Sequence, residues 1–316
     1  MTTKTPLKVI YIGARVVGRR CLAAMLSTDA EVVGLLYLDD ALAGVTVAHE
    51  SFDDLITHHR LCAKSFRSLR DPELVAWVEM LQPDVGVVIG VSQLIDEALL
   101  QVPRLGFIGM HPTLLPEGRG RAPIPWALIK GLERTGVSLF WCEPGADTGP
   151  LLDQREVPIY YEDSAAILGA RTDVVAAELL IKAASELPCG EVRRVPQDES
   201  KATTWPKRLP EDGLIDWTWT GRRIYDWVRA LSHPYPGAFA EVEGQRLNVW
   251  ACRETGDHRT GAPGTILEVL PHGLLVACGE GAVLLTEVEW EGMSSTATAL
   301  AEDVVERILI TTHNNG

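Results

Sequence analysis

The sequence contains no cysteine pair of the Cys-x-x-Cys type, although it has six cysteines among 316 residues. None of them has a histidine at the spacing of a zinc-binding motif, so the sequence predicts no metal site. Scattered cysteines are typical of a reducing compartment, and we expect reduced, mostly buried thiols. They are Cys21, Cys62, Cys142, Cys189, Cys252 and Cys278.

Positive charge is also scarce in this sequence. Lys and Arg number 29 against 43 Asp and Glu, which gives a formal net charge of −14 at pH 7. Because such a surface repels phosphate backbones, nucleic acid is not the expected partner. No stretch approaches the roughly 20 apolar residues of a membrane span, and the N-terminal MTTKTPLKVIYIG holds one short apolar run. We therefore expect a cytoplasmic protein with no membrane partner.

A dinucleotide fingerprint is missing as well. The first strand ends in GARVVG between Gly13 and Gly18, which lacks the G-x-G-x-x-G spacing that brings a backbone against a pyrophosphate. We interpret this segment as an ordinary turn between a strand and a helix.

The remaining composition, 46% hydrophobic and 23% charged, is that of a folded globular protein. The length predicts two domains at roughly 150 residues each. Continuous apolar strands alternate with amphipathic helices in the first half, which predicts an α/β domain with a Rossmann-type parallel sheet over residues 1–187. Pro, Gly and charged residues predict a linker over 188–208. Short strands between turns predict a small C-terminal β-barrel-like domain over 209–316.

The residues between positions 106 and 153 carry the most chemical information. His111 follows one apolar strand and Asp147 follows another, and ligands of open α/β sheets bind at the carboxyl ends of strands. A carboxylate beside an imidazole produces a base that can take up and return a proton near pH 7, which suits acyl transfer to an amine. The alternative is a capping aspartate and a packed histidine that do not meet.

Several motifs of the chain resemble those of the folate-dependent formyltransferases. They are HPTLLPEGRGRAPIPWALIKG from His111, TGVSLF and ADTGP, followed by WPKRLPEDGLIDW and VRALSHPYPGAF in the second half. The family includes methionyl-tRNA formyltransferases and sugar-nucleotide N-formyltransferases. The resemblance covers nearly the whole chain, and it implies 10-formyltetrahydrofolate as co-substrate and residues 1–187 as the catalytic domain.

The resemblance also assigns roles to single residues. His111 and Asp147 match the family's catalytic His and Asp, whereas the family's Asn, which donates to the developing oxyanion, is replaced by Gly109. Losing one oxyanion donor costs about 100- to 1000-fold in rate. We expect Gln93 or a bound water to take its place. The predicted folate-binding residues are Gly90, Ser92, Gln93, Leu94, Gly145 and Ala146, and the predicted substrate-binding residues are Thr113, Arg119 and Arg121.

The acceptor is expected to be a small-molecule amine. Methionyl-tRNA formyltransferases have a Lys- and Arg-rich insert after the second strand, whereas this chain has the acidic YLDDALAGVTVAHESFDDL. A nucleotide-linked amino sugar is therefore favoured over initiator tRNA, and a small natural-product amine stays open. Gly109 also leaves open a hydrolase that releases formate and a folate-binding pseudoenzyme. For the oligomeric state, a homodimer is the assembly that the sequence leaves open.

Overall fold

The computed structural model describes residues 6–290 and the strand 293–296, except residues 191 and 243. The described residues form two units. The first takes in residues 6–123, 134–158 and 169–206, and the second takes in residues 124–133, 159–168 and 207–296. The predicted boundaries at 187 and 209 stay a prediction, and the units depart from them because two segments of the first half pack with the second unit.

The first unit is built on one seven-stranded sheet with the order β3-β2-β1-β4-β5-β7-β8. The strands from β3 to β5 pair in parallel, which confirms the predicted Rossmann-type sheet. A short two-stranded sheet pairs β6 with β9. The strands of this unit are β1 (Lys8–Gly13), β2 (Glu31–Leu38), β3 (Ala63–Phe66), β4 (Val85–Ile89), β5 (Phe107–His111), β6 (Arg119–Gly120), β7 (Arg134–Trp141), β8 (Leu151–Pro158) and β9 (Thr204–Trp205).

Among the residues that the structure describes, seven α-helices lie between these strands and in the second unit. The longest, α6, has 22 residues and begins at Ala165. In the part of the chain that the structure describes, no helix combines the length and apolar character needed to cross a membrane. The helices are α1 (Val16–Leu26), α2 (Asp53–His59), α3 (Pro72–Leu81), α4 (Glu97–Leu100), α5 (Pro123–Ile129), α6 (Ala165–Glu186) and α7 (Gly221–Leu231).

The turn between β1 and α1 is a packing feature. A Cβ atom on Gly18 would lie 2.6 Å from the Ile89 carbonyl oxygen of β4, so only glycine lets α1 approach the sheet this closely. The Gly18 carbonyl accepts a hydrogen bond from the buried Tyr11 hydroxyl at 2.7 Å. Through both contacts Gly18 holds α1 against strands β1 and β4.

The second unit contains an antiparallel sheet with the order β10-β11-β14-β13-β12, and β15 pairs with β14. This sheet confirms the small β domain that short strands between turns predict. Its strands alternate or run apolar, and β13 is buried along its whole length. They are β10 (Ala238–Val242), β11 (Gln245–Glu254), β12 (Ile266–Leu270), β13 (Gly273–Ala277), β14 (Ala282–Trp290) and β15 (Met293–Thr296).

A buried ion pair on α7 stabilises the second unit. Asp226 and Arg229 are 5% and 6% exposed, and Arg229 Nε donates to Asp226 Oδ1 at 2.7 Å. The other edge of the guanidinium donates to the carbonyl oxygens of Tyr160 and Asp163 at 3.0 and 2.9 Å. These bonds connect residues 159–168 to α7 within this unit.

We expect Arg229→Ala to lower the free energy of unfolding by about 3 kcal/mol, because the buried Asp226 carboxylate loses one of its two arginine partners and keeps only Arg222, and because the bonds to the Tyr160 and Asp163 carbonyl oxygens are lost. Arg259→Ala is the control in the same unit. Arg259 is half exposed and pairs with Asp257 and Glu268, so its loss should cost about 1 kcal/mol or less. Urea unfolding of the full chain, followed by tryptophan fluorescence, measures both; equal losses would contradict this account of the ion pair.

Candidate active site

His111 ends strand β5, and its ring orientation is determined by a backbone contact. The side chain is 6% exposed, and Nε2 lies 2.8 Å from the Gly118 carbonyl oxygen. A carbonyl oxygen can only accept, so Nε2 carries the hydrogen in the neutral imidazole. Nδ1 then holds the lone pair and is the ring atom that can take up a proton.

Asp147 lies opposite that lone pair. Its Oδ2 is 3.6 Å from His111 Nδ1 and accepts a hydrogen bond from the Gly120 N–H at 2.9 Å. The residue has φ +59°, a left-handed conformation that aspartate tolerates better than most side chains. At 3.6 Å the pair is just beyond hydrogen-bond length, and a proton arriving on Nδ1 would face the carboxylate directly. The structure therefore brings together the two residues that the sequence nominates as a pair.

The path of the Asp147 loop differs from the sequence interpretation, which placed His111 and Asp147 beyond strand ends at the same edge. Strand β7 is antiparallel to β5, with His111 opposite Ser138 and Ile108 opposite Trp141. The end of β7 thus lies beside the start of β5, away from His111. The loop after β7 must fold back across the sheet to bring Asp147 to the imidazole.

The loop that follows His111 is anchored by Ser138 in the middle of β7. The Ser138 hydroxyl donates to the Thr113 carbonyl oxygen at 2.7 Å and accepts from the Leu115 N–H at 3.2 Å. Gln154 donates both to the same hydroxyl and to the Leu115 carbonyl oxygen. The buried Ser138 of β7 and the half-buried Gln154 of β8 therefore fix the backbone that leads to Gly118 and Gly120.

The space beside Gly109 is filled by side chains of β7 and its end. Gly109 is paired with Phe140, and a Cβ atom on Gly109 would lie 2.8 Å from Phe140 Cζ and 3.0 Å from Cys142 Sγ. Burial, and then the nearby Asp147 charge, raise the pKa of the Cys142 thiol to about 12, so the thiol stays protonated at neutral pH. An asparagine would meet the phenyl ring at this position.

The predicted folate-binding residues around position 92 follow strand β4. The Gln93 amide accepts from the Leu69 N–H and donates to the Arg67 carbonyl oxygen, each at 2.9 Å, so both of its ends have backbone partners. Ser92 accepts from Arg15 at 2.6 Å. Gly90 has φ +73°, and Leu94 is 55% exposed. These contacts do not support Gln93 as the substitute for the missing asparagine.

The predicted substrate-binding residues have different surroundings. Thr113 is 2% exposed, and its hydroxyl has no hydrogen-bond partner among the described residues. Arg119 is 7% exposed and donates to Gln197 and to both carboxylate oxygens of Glu199, whose hydrogen bond raises the pKa of the guanidinium. The N–H groups of the Arg119 guanidinium are therefore already bonded to Gln197 and Glu199 rather than directed at a substrate. Arg121 is exposed.

Gly145 and Ala146 lie in the loop that ends at Asp147. The Gly145 N–H donates to the Glu143 carbonyl oxygen at 2.7 Å, and Ala146 is exposed. The loop is thus a tight turn in front of Asp147, in which Glu143, Pro144 and Ala146 are exposed.

The segment 195–205, predicted as part of a linker, contacts both loops of the candidate site. The Thr203 hydroxyl accepts from the Gly118 N–H at 2.8 Å, and the Thr203 carbonyl oxygen accepts from the Arg119 N–H at 2.9 Å. The Gln197 side chain donates to the carbonyl oxygens of Asp147 and Gly149. Sequence reasoning missed these residues because a polar, proline-containing stretch indicates a loop without indicating its partners.

Comparisons with known proteins identify both halves of the chain. A family model described as "Formyl transferase" matches residues 18–184, and a model described as "Formyl transferase, C-terminal domain" matches residues 208–301. The methionyl-tRNA formyltransferase of Geobacter sulfurreducens is 32% identical over 295 residues, which is 93% of this chain and 92% of that protein.

Two solved structures share the fold at low sequence identity. An N-formyltransferase from Helicobacter canadensis, in complex with folinic acid and dTDP-3-aminofucose, has a TM-score of 0.67 at 14% identity, covering 88% of this chain and 98% of that one. HypX from Aquifex aeolicus, in complex with tetrahydrofolic acid, has a TM-score of 0.65 at 18% identity and covers 95% of this chain. The chain spans about half the length of HypX, 48%.

The geometry of the His111 and Asp147 pair leads to a double-variant prediction. His111→Asn and Asp147→Asn should each lower kcat of formyl transfer by about 10²- to 10⁴-fold, because each interrupts proton transfer at Nδ1. Asparagine at position 147 can keep the left-handed backbone and the bond from Gly120. The double variant should be no slower than the slower single variant, since the residues act as one unit. Steady-state kinetics decide, and multiplicative losses would mean that the residues act separately.

The packing around Gly109 yields a second prediction. Gly109→Asn should lower the free energy of unfolding by about 1–3 kcal/mol through overpacking against the Phe140 ring, and it should slow formyl transfer. Phe140→Ala alone should cost about 3–5 kcal/mol, because it leaves a cavity in the core. In that background Gly109→Asn should cost less than it does in the unsubstituted protein, because the ring that it meets is absent. Thermal unfolding and initial rates report both effects; a faster and equally stable Gly109→Asn protein would show that the ring moves aside.

Proposed function

The chain belongs to the formyl transferase family, and from this premise we propose that it transfers a formyl group to the amine of a nucleotide-linked amino sugar. It is a folate-dependent enzyme, since the family uses formyl-tetrahydrofolate. The sequence predictions of the family and of this co-substrate are thus confirmed. The acceptor is the part of the statement that is proposed.

The chemistry that we propose centres on His111 Nδ1. The acceptor amine attacks the formyl carbon of 10-formyltetrahydrofolate, and the amine becomes more acidic as its new C–N bond forms. Nδ1 takes that proton, and the Asp147 carboxylate at 3.6 Å stabilises the imidazolium. The Gly118 carbonyl keeps the ring in place throughout, because its contact with Nε2 is present in both protonation states. The imidazolium can then return the proton to the departing folate nitrogen.

The developing negative charge on the formyl oxygen lacks the amide donor that the family resemblance implies. Gly109 has no side chain, and the amide of Gln93 is bonded to backbone groups at both ends. Of the two substitutes expected from the sequence, we therefore propose a bound water. Such a donor is less preorganised than an asparagine, so catalysis below the family's usual rate is consistent with this site.

The proposed folate contacts lie in the segment after β4 and in the turn before Asp147. The segment after β4 offers an exposed apolar side chain, Leu94, and backbone groups near Gly90, whose φ of +73° suits a sharp turn. Apolar surface with a few polar groups is the usual composition of a cofactor pocket. Gly145 and Ala146 supply only backbone and a methyl group next to Asp147, which leaves space beside the carboxylate.

The acidic segment 38–55 is the observation that carries the choice of acceptor. It contains Asp39, Asp40, Glu50, Asp53 and Asp54 and no Lys or Arg. The Ala41 N–H, and then Arg67, lower the pKa of Asp39, so this carboxylate is charged at neutral pH. Binding of a tRNA backbone requires cations where this chain has anions, whereas a sugar nucleotide presents only two phosphate groups. We propose Arg121, which is exposed, as the residue that meets them.

A second candidate function is formylation of initiator tRNA. The observation that favours it is the 32% identity to a methionyl-tRNA formyltransferase over 93% of the chain. The structure of the sugar N-formyltransferase from Helicobacter canadensis shares the fold at 14% identity, which does not decide between acceptors.

Binding and turnover assays separate the candidates. At low salt, where phosphate contacts are strongest, we expect no gel shift of initiator methionyl-tRNA below micromolar protein, and the Geobacter sulfurreducens relative serves as the positive control. With 10-formyltetrahydrofolate, the chain should formylate at least one member of a panel of nucleotide-linked amino sugars. Salt-sensitive tRNA binding below micromolar would instead favour the second candidate.

The turnover assay also detects a hydrolase or a pseudoenzyme, both of which the glycine at position 109 leaves open. Formate release without any amine would indicate a hydrolase, and folate binding without turnover would indicate a pseudoenzyme. If the protein formylates a small amine that carries no nucleotide, the proposed acceptor is wrong and the proposed formyl transfer is retained.

A further inference from the structure

The side chain of Gln197 connects the two loops that meet at the candidate active site. Its Nε2 donates to the carbonyl oxygens of Asp147 and Gly149 at 2.8 and 2.7 Å. Its Oε1 accepts from Arg119 Nε and Nη2 at 3.1 and 2.8 Å. Both donors and both lone pairs of the amide are used, which is the full capacity of a glutamine side chain.

Arg119 links this amide to the His111 loop. Its guanidinium is held on the opposite side by Glu199, with Nη2 to Oε1 at 2.6 Å and Nη1 to Oε2 at 2.9 Å. The next residue, Gly120, donates its N–H to the Asp147 carboxylate. A closed circuit therefore runs from the Asp147 backbone through Gln197 and Arg119 to Gly120, and back to the Asp147 side chain.

The closed circuit of hydrogen bonds restrains the loop that carries Asp147. Asp147 lies in a loop that folds back across the sheet, with a left-handed backbone at φ +59°. The Gly120 N–H fixes the carboxylate, and Gln197 fixes the backbone at Asp147 and two residues beyond. A displacement of about 1 Å of a reacting group can cost about 10²-fold in rate, so the circuit has a direct kinetic consequence.

We propose that Gln197 is a positioning residue, which sets the Asp147 carboxylate against His111 Nδ1 by bonding the Asp147 loop to Arg119. The proposal rests on the proposed function, because it assigns Gln197 a role in that reaction. Gln197 contacts neither reacting partner and acts through Asp147.

Two substitutions separate the bonds that the Gln197 amide donates from those that it accepts. Gln197→Glu keeps an oxygen for Arg119 but removes both hydrogens that reach Asp147 and Gly149, whereas Gln197→Ala removes all four bonds. Gln101, which is exposed at the end of α4, supplies matched controls as Gln101→Glu and Gln101→Ala. Both Gln197 variants should lower kcat about 10- to 100-fold, with KM for the formyl donor changed by less than about threefold. The Gln101 variants should match the unsubstituted protein.

A double-variant cycle tests whether Gln197 acts through Asp147. In an Asp147→Asn background, Gln197→Ala should lower kcat no further, because the carboxylate whose position it controls is already absent. A merely structural role would give the same loss in both backgrounds. That result, or a kcat unchanged by Gln197→Glu in a folded protein, overturns the proposal.

An NMR readout does not depend on activity. The ¹⁵N resonance of His111 Nδ1, assigned by its loss in His111→Asn, reports the carboxylate beside it. It should shift in Gln197→Glu and stay unchanged in Gln101→Glu. If the protein formylates none of the acceptors, the proposed function fails, and this resonance still tests the positioning. An unchanged resonance in Gln197→Glu overturns the positioning role whether or not formyl transfer is found.

Discussion

The antiparallel pairing of β7 with β5 is the constraint on which the candidate site depends. It places the loop that carries Asp147 at the far end of β5 from His111, and that loop has to return across the sheet. Ordering an irregular loop along such a path costs conformational entropy, and the loop has no regular backbone hydrogen bonding to offset that cost. The bonds from Gly120 and Gln197 offset that cost at Asp147 itself. The position of the carboxylate and the backbone conformation of Asp147 are thus fixed together.

The parts of this molecule that depend on local pattern could be predicted from the sequence. Apolar runs that alternate with amphipathic segments predicted the Rossmann-type sheet, and a histidine at a strand end marked the site. The direction of β7 could not be predicted in this way, because β7 is buried on both faces and so has the continuous run that is typical of a parallel strand. For the same reason the predicted position of the Asp147 loop was wrong, although its proximity to His111 was anticipated.

Polar residues in irregular segments were the least predictable. Gln93 has the residue type and strand-end location of a ligand-binding group, yet its amide is hydrogen-bonded to the backbone of Arg67 and Leu69. Gln197 lies in a segment whose composition indicates only a loop, yet it holds the Asp147 backbone. In both cases the partner is distant in sequence, and composition or spacing carries no information about such contacts. The contact between Phe140 and Gly109 could not be predicted either, since only the strand register places the ring there.

The Cys142 thiol has a consequence for chemical labelling of this protein. It lies next to Gly109 at the candidate site, and a thiol that stays protonated is a poor nucleophile towards alkylating agents and peroxide. Cys62 and Cys189, by contrast, are exposed, and Cys21, Cys252 and Cys278 are buried. Maleimide dyes should therefore attach at Cys62 and Cys189 first. The protein offers two natural attachment points for fluorescent probes, and modifying them does not require contact with the residues that handle the formyl group.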